Sequence, residues 1–148
     1  MFTGIRIRKI SVNRFISKNK KINLLFYTKT NHSFNSLLMI TDLSYLIKMS
    51  EGDKTFIDEM ITIFKEQVSE YQHTMPELLS SGDLENLSKL AHKAKSSVAV
   101  MGMNETADLL KELQHTAAEK NDLNKISLYV DKFIKDCNEA LTELDKMQ

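Results

Sequence analysis

The chain has 148 residues, of which 42% are hydrophobic and 27% are charged, with 20 basic and 20 acidic side chains. This length allows one domain with one core, and a content of one proline and four glycines favours a helical protein over a loop-rich one. No apolar run approaches the roughly 20 residues that a membrane-spanning helix needs, and the single cysteine, Cys137, excludes an internal disulfide and fits a reducing cytoplasm.

The neutral net charge conceals two parts of opposite charge. Residues 1–41 contain eight lysines and arginines and no acidic residue, whereas the rest carries 12 basic and 20 acidic side chains. Residues 1–40 also lack a clear hydrophobic period, which predicts a disordered extension or a start codon assigned too early, with Met39 as the true initiator. A basic tail could also bind nucleic acid or an anionic membrane, and it has weak features of a transit peptide. The predicted domain therefore covers residues 41–148.

The remainder of the chain begins with one short helix and one long helix. Thr41 and Asp42 give an N-cap signal for the short helix, which is expected to end near Gly52. Asp53 then begins the long helix, in which Pro76 is expected to produce a kink or a split, because proline removes a backbone hydrogen bond and clashes with the preceding turn.

Three further helices are predicted in the second half. The first covers about 83–101 and is interrupted by Gly102, Asn104 is expected to cap the next, and a turn at 121–122 precedes the last. Apolar residues recur every three or four positions along the four long helices: Ile57, Met60, Phe64, Val68, Tyr71, Met75 and Leu78; Leu84, Leu87, Ala91, Ala94, Val98 and Met101; Ala107, Leu110, Leu113 and Ala117; Ile126, Val130, Phe133, Cys137, Leu141 and Leu144. Amphipathic helices with short connections predict an all-α protein, an antiparallel four-helix bundle with a short additional N-terminal helix.

One histidine stands at the edge of an apolar stripe. His92 lies one residue, or about 100°, from the core-facing positions of its helix, so its side chain is expected to be open to solvent. Lys95 and Ser96 lie one turn later on the same face, Ala99 extends this face by another turn, and Ser88 precedes it by one turn. Small neighbours would leave the imidazole accessible to a second protein.

The motif His92-x-x-Lys95 followed by Ser96, with Gly102 ten residues after the histidine, resembles the histidine-containing phosphotransfer (HPt) domain of bacterial two-component phosphorelays. The resemblance covers roughly residues 41–148, although that family more often has Gly where Ser96 stands. It implies that Nε2 of His92 accepts a phosphoryl group from the aspartyl phosphate of a receiver domain and passes it to another receiver aspartate. Histidine suits this step because its ordinary pKa of about 6.5 leaves a free lone pair at neutral pH.

The resemblance also implies roles for neighbouring residues and for partners. Lys95 would attract phosphoryl oxygens about 5 Å away, by roughly 1 kcal/mol in a water-like medium and about 3 kcal/mol at an effective dielectric of 20. Gln114, 22 residues after the histidine, would bind Nδ1–H and orient the ring. Partner docking is predicted for Ser88, Lys93, Ser96 and Ala99. The implied partners are a hybrid sensor histidine kinase and the receiver domain of a response regulator, with Mg²⁺ expected only on the receiver. No cofactor or metal on this chain, no nucleic-acid binding by the bundle and no membrane span are expected.

Three other interpretations compete with a phosphoryl carrier. A helical adaptor of the same fold would bind a partner without being phosphorylated. The pattern Glu-x-x-His, which supplies ligands in di-iron bundles, occurs at 70–73 and 112–115, but helical periodicity directs these side chains away from the core. The acidic residue and proline that follow the histidine in kinase dimerisation helices do not follow His92, and the chain has no glycine-rich ATP-binding motif. The chain is therefore expected to be a carrier without kinase activity.

Overall fold

Among residues 39–147, which the computed structural model describes, the chain forms five α-helices and no β-strand. They are α1 (Ser44–Met49), α2 (Lys54–Ser81), α3 (Leu84–Val100), α4 (Asn104–Ala118) and α5 (Leu123–Asp145). The prediction for the basic extension falls on residues that lie outside the described part, apart from its last two. The all-α class and the order of one short helix followed by four long ones are confirmed.

Short connections arrange the long helices as an antiparallel bundle. Two residues join α2 to α3, three join α3 to α4, and four join α4 to α5, so each helix turns back beside the preceding one. The helix α3 packs against α2 and α4, while α5 packs against α4 and α2, and these contacts close the bundle. Within residues 39–147, no helix is both long enough and apolar enough to cross a membrane.

The bundle buries one hydrophobic core to which all the helices contribute. Its largest fully buried side chains are Tyr71, Phe64, Phe133, Leu46, Ile61 and Met75. Most of the predicted stripe positions are buried, and five are only half-buried: Ile57, Met60, Leu78, Ala107 and Leu141. On α2, Ile61 is buried although it was not predicted. The stripe on α2 drifts because a straight helix repeats every 3.6 residues, so intervals of three and four lose register over several turns.

The long helix α2 continues through Pro76 without interruption, so of the two predicted outcomes, a kink or a split, the split is wrong. A proline inside a helix destabilises it by about 3 kcal/mol or more. The preceding turn buries Tyr71 and Met75 completely, and Leu78 and Leu79 on the following turn are half-buried against the core. Burial of a large apolar side chain contributes about 1.5–3 kcal/mol, so packing on both sides of the proline outweighs its cost.

Aspartates cap three of the long helices. Asp53 accepts hydrogen bonds from backbone N–H groups at the start of α2, and Asp83 and Asp122 do the same for α3 and α5. The cap predicted at Asn104 is wrong, because Asn104 is the first residue of α4 and Met103 precedes it without a side-chain cap. The Met103 side chain is buried, so core packing rather than capping directs the chain into α4.

The segment before α1, which we call the strap (residues 40–42), is bound to the far end of the chain. The Glu143 carboxylate accepts hydrogen bonds from the N–H of Ile40 at 2.8 Å, the N–H of Thr41 at 3.0 Å and the Thr41 hydroxyl at 2.8 Å. The predicted N-cap role of Thr41 is therefore wrong, since its hydroxyl is directed to α5. The other predicted residue does serve the start of the short helix: the Asp42 carboxylate accepts the N–H of Ser44, the first residue of α1, at 2.9 Å, whereas Leu43 just before it makes no side-chain cap.

A second contact joins the strap to the connection between α3 and α4. The N–H of Asp42 donates to the carbonyl of Met101 at 2.9 Å. Gly102 adopts φ +69°, and a Cβ at this position would collide with the carbonyl and side chain of Asp42. Gly102 thus meets two requirements at once, a left-handed backbone conformation and the close approach of another segment.

A carboxylate lies inside the core stripe of α5. Asp136 is buried, and it accepts hydrogen bonds from the Thr106 hydroxyl at 3.0 Å and from the Lys132 ammonium at 2.8 and 3.0 Å. The neighbouring Cys137 is buried as predicted, and burial, reinforced by the negative charge of Asp136, raises the pKa of its thiol to about 12. A thiol in this environment packs as a small apolar side chain.

We expect Thr106→Val to lower the free energy of unfolding by about 1.5–3 kcal/mol, because it leaves the buried Asp136 carboxylate short of a donor. Chemical denaturation followed by circular dichroism measures this change. Thr116→Val is the matched control, since the Thr116 hydroxyl donates to the Glu112 carbonyl within its own helix and its loss leaves no buried charge unpaired. Equal losses in the two variants would contradict the interpretation.

Candidate functional site

The helix α3 presents His92 on its outer face, near the middle of the bundle. The imidazole is exposed, whereas Ala91 and Ala94 on either side of it are completely buried. These two alanines fix the rotation of α3, because they must face the core. The position of His92 at the edge of the stripe therefore agrees with the expectation from helical periodicity.

The ring of His92 is bound by a side chain from the next helix. Its Nδ1 lies 3.1 Å from Oε1 of Gln114 on α4, and Gln114 is half-buried beside the fully buried Leu113. An amide oxygen only accepts hydrogen bonds, so this contact requires the proton on Nδ1. That tautomer leaves the lone pair of Nε2 directed away from Gln114 and free to react.

A second bond joins α3 to α4 at the same residue. The hydroxyl of Ser88 donates to the main-chain carbonyl of Gln114 at 2.9 Å, and Ser88 is half-buried. Gln114 is thus held by α3 through both its backbone and its side chain. The structure brings together Ser88, His92 and Gln114 from the set of residues that the sequence nominated.

The two lysines near the histidine have different surroundings. The ammonium of Lys93 lies 3.3 Å from both carboxylate oxygens of Glu70 and 5.7 Å from the centre of the Tyr71 ring, so Lys93 is directed toward α2. Lys95 is half-buried one turn after His92, and within residues 39–147 it makes no hydrogen bond or ion pair. Of these two lysines, Lys95 is therefore the one whose ammonium has no partner among residues 39–147 and can meet an incoming anion.

The surface beyond Lys95 is open and borders a groove. Ser96 and Ala99 are both exposed. A groove of about 210 Å³ lies between α2 and α3 beside Ser96. Sequence reasoning missed the contribution of α2 to this surface, which comes from Met60, Ile63, Phe64 and Gln67. Ile63, an apolar residue outside the core stripe and 45% exposed, was the signal that could have indicated it.

The geometry does not support a di-iron site. All four side chains of the two Glu-x-x-His patterns are exposed, as their helical positions predicted. Glu70 binds Lys93, and His73 lies 3.3 Å from Glu77 on its own helix. In the part of the chain that the structure describes, no three His, Cys, Asp or Glu side chains are grouped in a way that could hold a metal ion.

Comparison with protein families identifies the class to which this arrangement belongs. The family model for the Hpt domain matches residues 59–146, which is more than half of the chain, so the chain belongs to the Hpt domain family. Membership implies a phosphotransfer role in two-component systems and interaction with receiver domains and histidine kinases. Searches among curated proteins and among solved structures found no match.

We expect Gln114→Leu to release the His92 ring, so that its two neutral tautomers mix and reaction at Nε2 slows about fivefold, equivalent to the roughly 1 kcal/mol of one hydrogen bond. Nitrogen-15 NMR of the ring reports the tautomer directly. Gln72→Leu is the control, because Gln72 makes a similar amide hydrogen bond of 2.9 Å to Asn138 between α2 and α5. An unchanged tautomer in Gln114→Leu would show that the contact does not orient the ring.

Proposed function

We propose that this chain is a phosphorelay intermediate that accepts a phosphoryl group from the aspartyl phosphate of one receiver domain on His92 and passes it to the aspartate of another. The observation that supports this most directly is the exposed imidazole whose Nδ1 is bound by Gln114, in a chain of the Hpt domain family. This contact supports the proposal because an Nδ1–H bound to the Gln114 amide oxygen is the tautomer that a nucleophilic Nε2 needs.

The proposed reaction needs no group beyond the two proteins and the metal of the receiver. The Nε2 lone pair of His92 forms a bond to phosphorus while the bond from phosphorus to the aspartyl oxygen breaks, and the aspartate leaves as a carboxylate. The proton on Nδ1 remains in its hydrogen bond with Gln114 throughout the step. The reverse sequence on a second receiver regenerates the neutral imidazole, so the carrier is unchanged after each cycle.

The partner proteins would supply the phosphoryl donor, the phosphoryl acceptor and the metal ion. The donor would be the receiver of a hybrid sensor histidine kinase, and the acceptor would be the receiver of a response regulator. Mg²⁺ would be bound by the carboxylates of the receiver, and the chain would act as a carrier without kinase activity, in the cytoplasm. Because transfer in both directions requires rapid dissociation, we expect a transient interface at the small end of the protein–protein range.

Labelling of the full chain by receivers tests this proposal. Receiver domains carrying labelled phosphate are incubated with the chain, and the product is separated and digested. The expected result is one phosphoryl group per chain, labile in acid and stable in base as an N-linked phosphate is, located on the peptide that contains His92. If every receiver is itself phosphorylated and none transfers label, the proposal fails and a non-phosphorylated adaptor becomes the better explanation.

We expect Lys95→Ala to slow phosphoryl transfer or shorten the lifetime of the phosphohistidine by about five- to tenfold, because the variant removes an attraction of roughly 1 kcal/mol or more for the phosphoryl oxygens. The effect should diminish at high salt, since the site is open to solvent. Rates with one receiver at two ionic strengths measure both statements.

Lys89→Ala is the matched control for Lys95→Ala. Lys89 lies on α3 three residues before His92, but its ammonium is already paired with Glu85 at 2.7 Å. Its removal should change transfer much less, because the bond to Glu85, one turn further from His92, draws its ammonium away from the imidazole. A loss of helical signal in Lys95→Ala would show instead that Lys95 supports the fold, and equal rate losses in both variants would show a general effect of surface charge.

A further inference from the structure

The hydroxyl of Ser88 binds a carbonyl of a different helix, whereas the hydroxyl of a helical serine often binds a carbonyl of its own helix. Serine and threonine hydroxyls within helices frequently bind a carbonyl of their own preceding turn, as Thr116 binds the Glu112 carbonyl at 2.8 Å. The hydroxyl of Ser88 instead crosses from α3 to α4 and donates to the Gln114 carbonyl at 2.9 Å. A carbonyl in a helix accepts one N–H from four residues later and keeps a second lone pair, so this bond adds to the helix bonds of α4 without replacing one.

The residue that Ser88 binds is also the residue that holds the reactive ring. The backbone of Gln114 is bonded to Ser88, and its side chain is bonded to His92, which follows Ser88 by one turn of α3. The distance from Nδ1 to Oε1 is 3.1 Å, close to the upper end of the usual range of about 2.7–3.2 Å for such bonds. A withdrawal of α4 by a few tenths of an ångström would therefore weaken the contact with the ring.

We propose that Ser88 is a positioning residue for the His92 imidazole and acts through Gln114. The bond from Ser88 fixes the separation of α3 and α4 at the level of the reactive histidine, and so keeps the Gln114 amide within reach of Nδ1. The effect on transfer rests on the proposed phosphoryl role of His92, whereas the effect on the ring is a property of the isolated chain and is measured without a partner.

Nitrogen-15 NMR of the imidazole in the full chain tests this inference. In wild type, we expect the proton on Nδ1 and therefore well separated resonances for Nδ1 and Nε2; in Ser88→Ala, we expect the two resonances to move toward each other as the tautomers mix. Ser97→Ala is the matched control, because Ser97 lies on the same helix and its hydroxyl forms an inter-helix bond of 3.0 Å to Tyr71 on α2. Its His92 resonances should remain as in wild type. Equal changes in the two variants would overturn the inference, since they would indicate general loosening of α3.

A double-mutant cycle then separates action through Gln114 from any other route. Ser88→Ala should reduce the rate of phosphoryl acceptance about fivefold, which corresponds to about 1 kcal/mol, and it should have no further effect when Gln114 is already leucine. Additive losses would overturn the inference. The proposed function fails separately: wild type that accepts no phosphate from any active receiver refutes the relay, whereas wild type that is labelled while the ring of Ser88→Ala stays unchanged refutes only the role of Ser88.

Discussion

Replacing His92 by glutamine should remove all phosphoryl acceptance from the chain. Glutamine has nearly the reach of histidine and a polar end, but its amide nitrogen has no lone pair available for attack, because that pair is delocalised into the carbonyl. The measurement is the transfer of labelled phosphate from a receiver, and the expected signal is that of the receiver alone.

Two other histidines of the bundle provide controls for this experiment. His115 is exposed on α4, one residue after Gln114, and His73 is exposed on α2. His115→Gln and His73→Gln make the same chemical change on open helix faces, and both variants should accept phosphate as wild type does. Residual label in His92→Gln that disappears only when His115 or His73 is also replaced would place the acceptor elsewhere and refute the proposed site.

The loss in His92→Gln should be chemical and not structural. The His92 side chain is exposed, and substitutions at open surface positions usually change stability by less than about 0.5 kcal/mol. The contact with Gln114 is the one hydrogen bond of the ring within residues 39–147. Thermal unfolding of His92→Gln within a few degrees of wild type would therefore accompany complete loss of transfer, and a large drop would mean that the ring supports the bundle.

The fold could be predicted from the sequence because burial in a helical bundle follows the helix repeat. Ala91, Ala94 and Val98 are completely buried at predicted positions, and the exposure of His92 follows from its place one residue beyond that stripe. Such periodicity describes one helix at a time. It indicates which side of α3 faces the core, but not which residue of α4 or α5 lies opposite.

The parts that could not be predicted are contacts between distant segments. The bond from Ser88 to Gln114 and the bonds from the strap to Glu143 join residues 26 and more than 100 positions apart, and no local pattern specifies them. Gln114 was identified because it lies 22 residues after His92, the spacing that the family resemblance implies for an orienting glutamine. Its position on the helix alone would have indicated an ordinary surface residue. Thr41 was misread as a cap because a capping sequence and a tertiary hydrogen-bond donor use the same side chain.

The largest effect on stability is expected from a substitution of Gly102, in the connection between α3 and α4. Gly102→Ala should lower the free energy of unfolding by about 3 kcal/mol, whereas Gly82→Ala should lower it by about 1–2 kcal/mol, the ordinary cost of a left-handed conformation for an L-residue. The two glycines have nearly the same backbone angle, with φ +69° and +73°. They differ in their surroundings, because a Cβ at Gly82 would meet nothing within 4 Å, while a Cβ at Gly102 would collide with Asp42. Chemical denaturation of both variants isolates the contribution of this collision.

The strap sets an upper limit on the cost of Gly102→Ala. The backbone of Asp42 can move away only if the strap gives up its bonds to Met101 and Glu143, each of which contributes about 0.5–1.5 kcal/mol. Once the strap has detached, Glu143 no longer has these partners. Glu143→Ala should therefore destabilise the wild-type chain by about 1–2 kcal/mol and the Gly102→Ala chain by much less.

Additive losses of stability from these two substitutions would contradict this explanation, because they would mean that the strap stays bound when Gly102 carries a side chain.

The same variants also separate effects on stability from effects on phosphoryl transfer. Neither Gly102 nor Glu143 contacts His92, so both variants should accept phosphate at close to the wild-type rate at temperatures where they remain folded. A Gly102→Ala variant that is well folded but accepts phosphate slowly would indicate that the connection between α3 and α4 influences the pairing of His92 with Gln114. In that case the glycine ten residues after the histidine would serve the site as well as the packing of the strap.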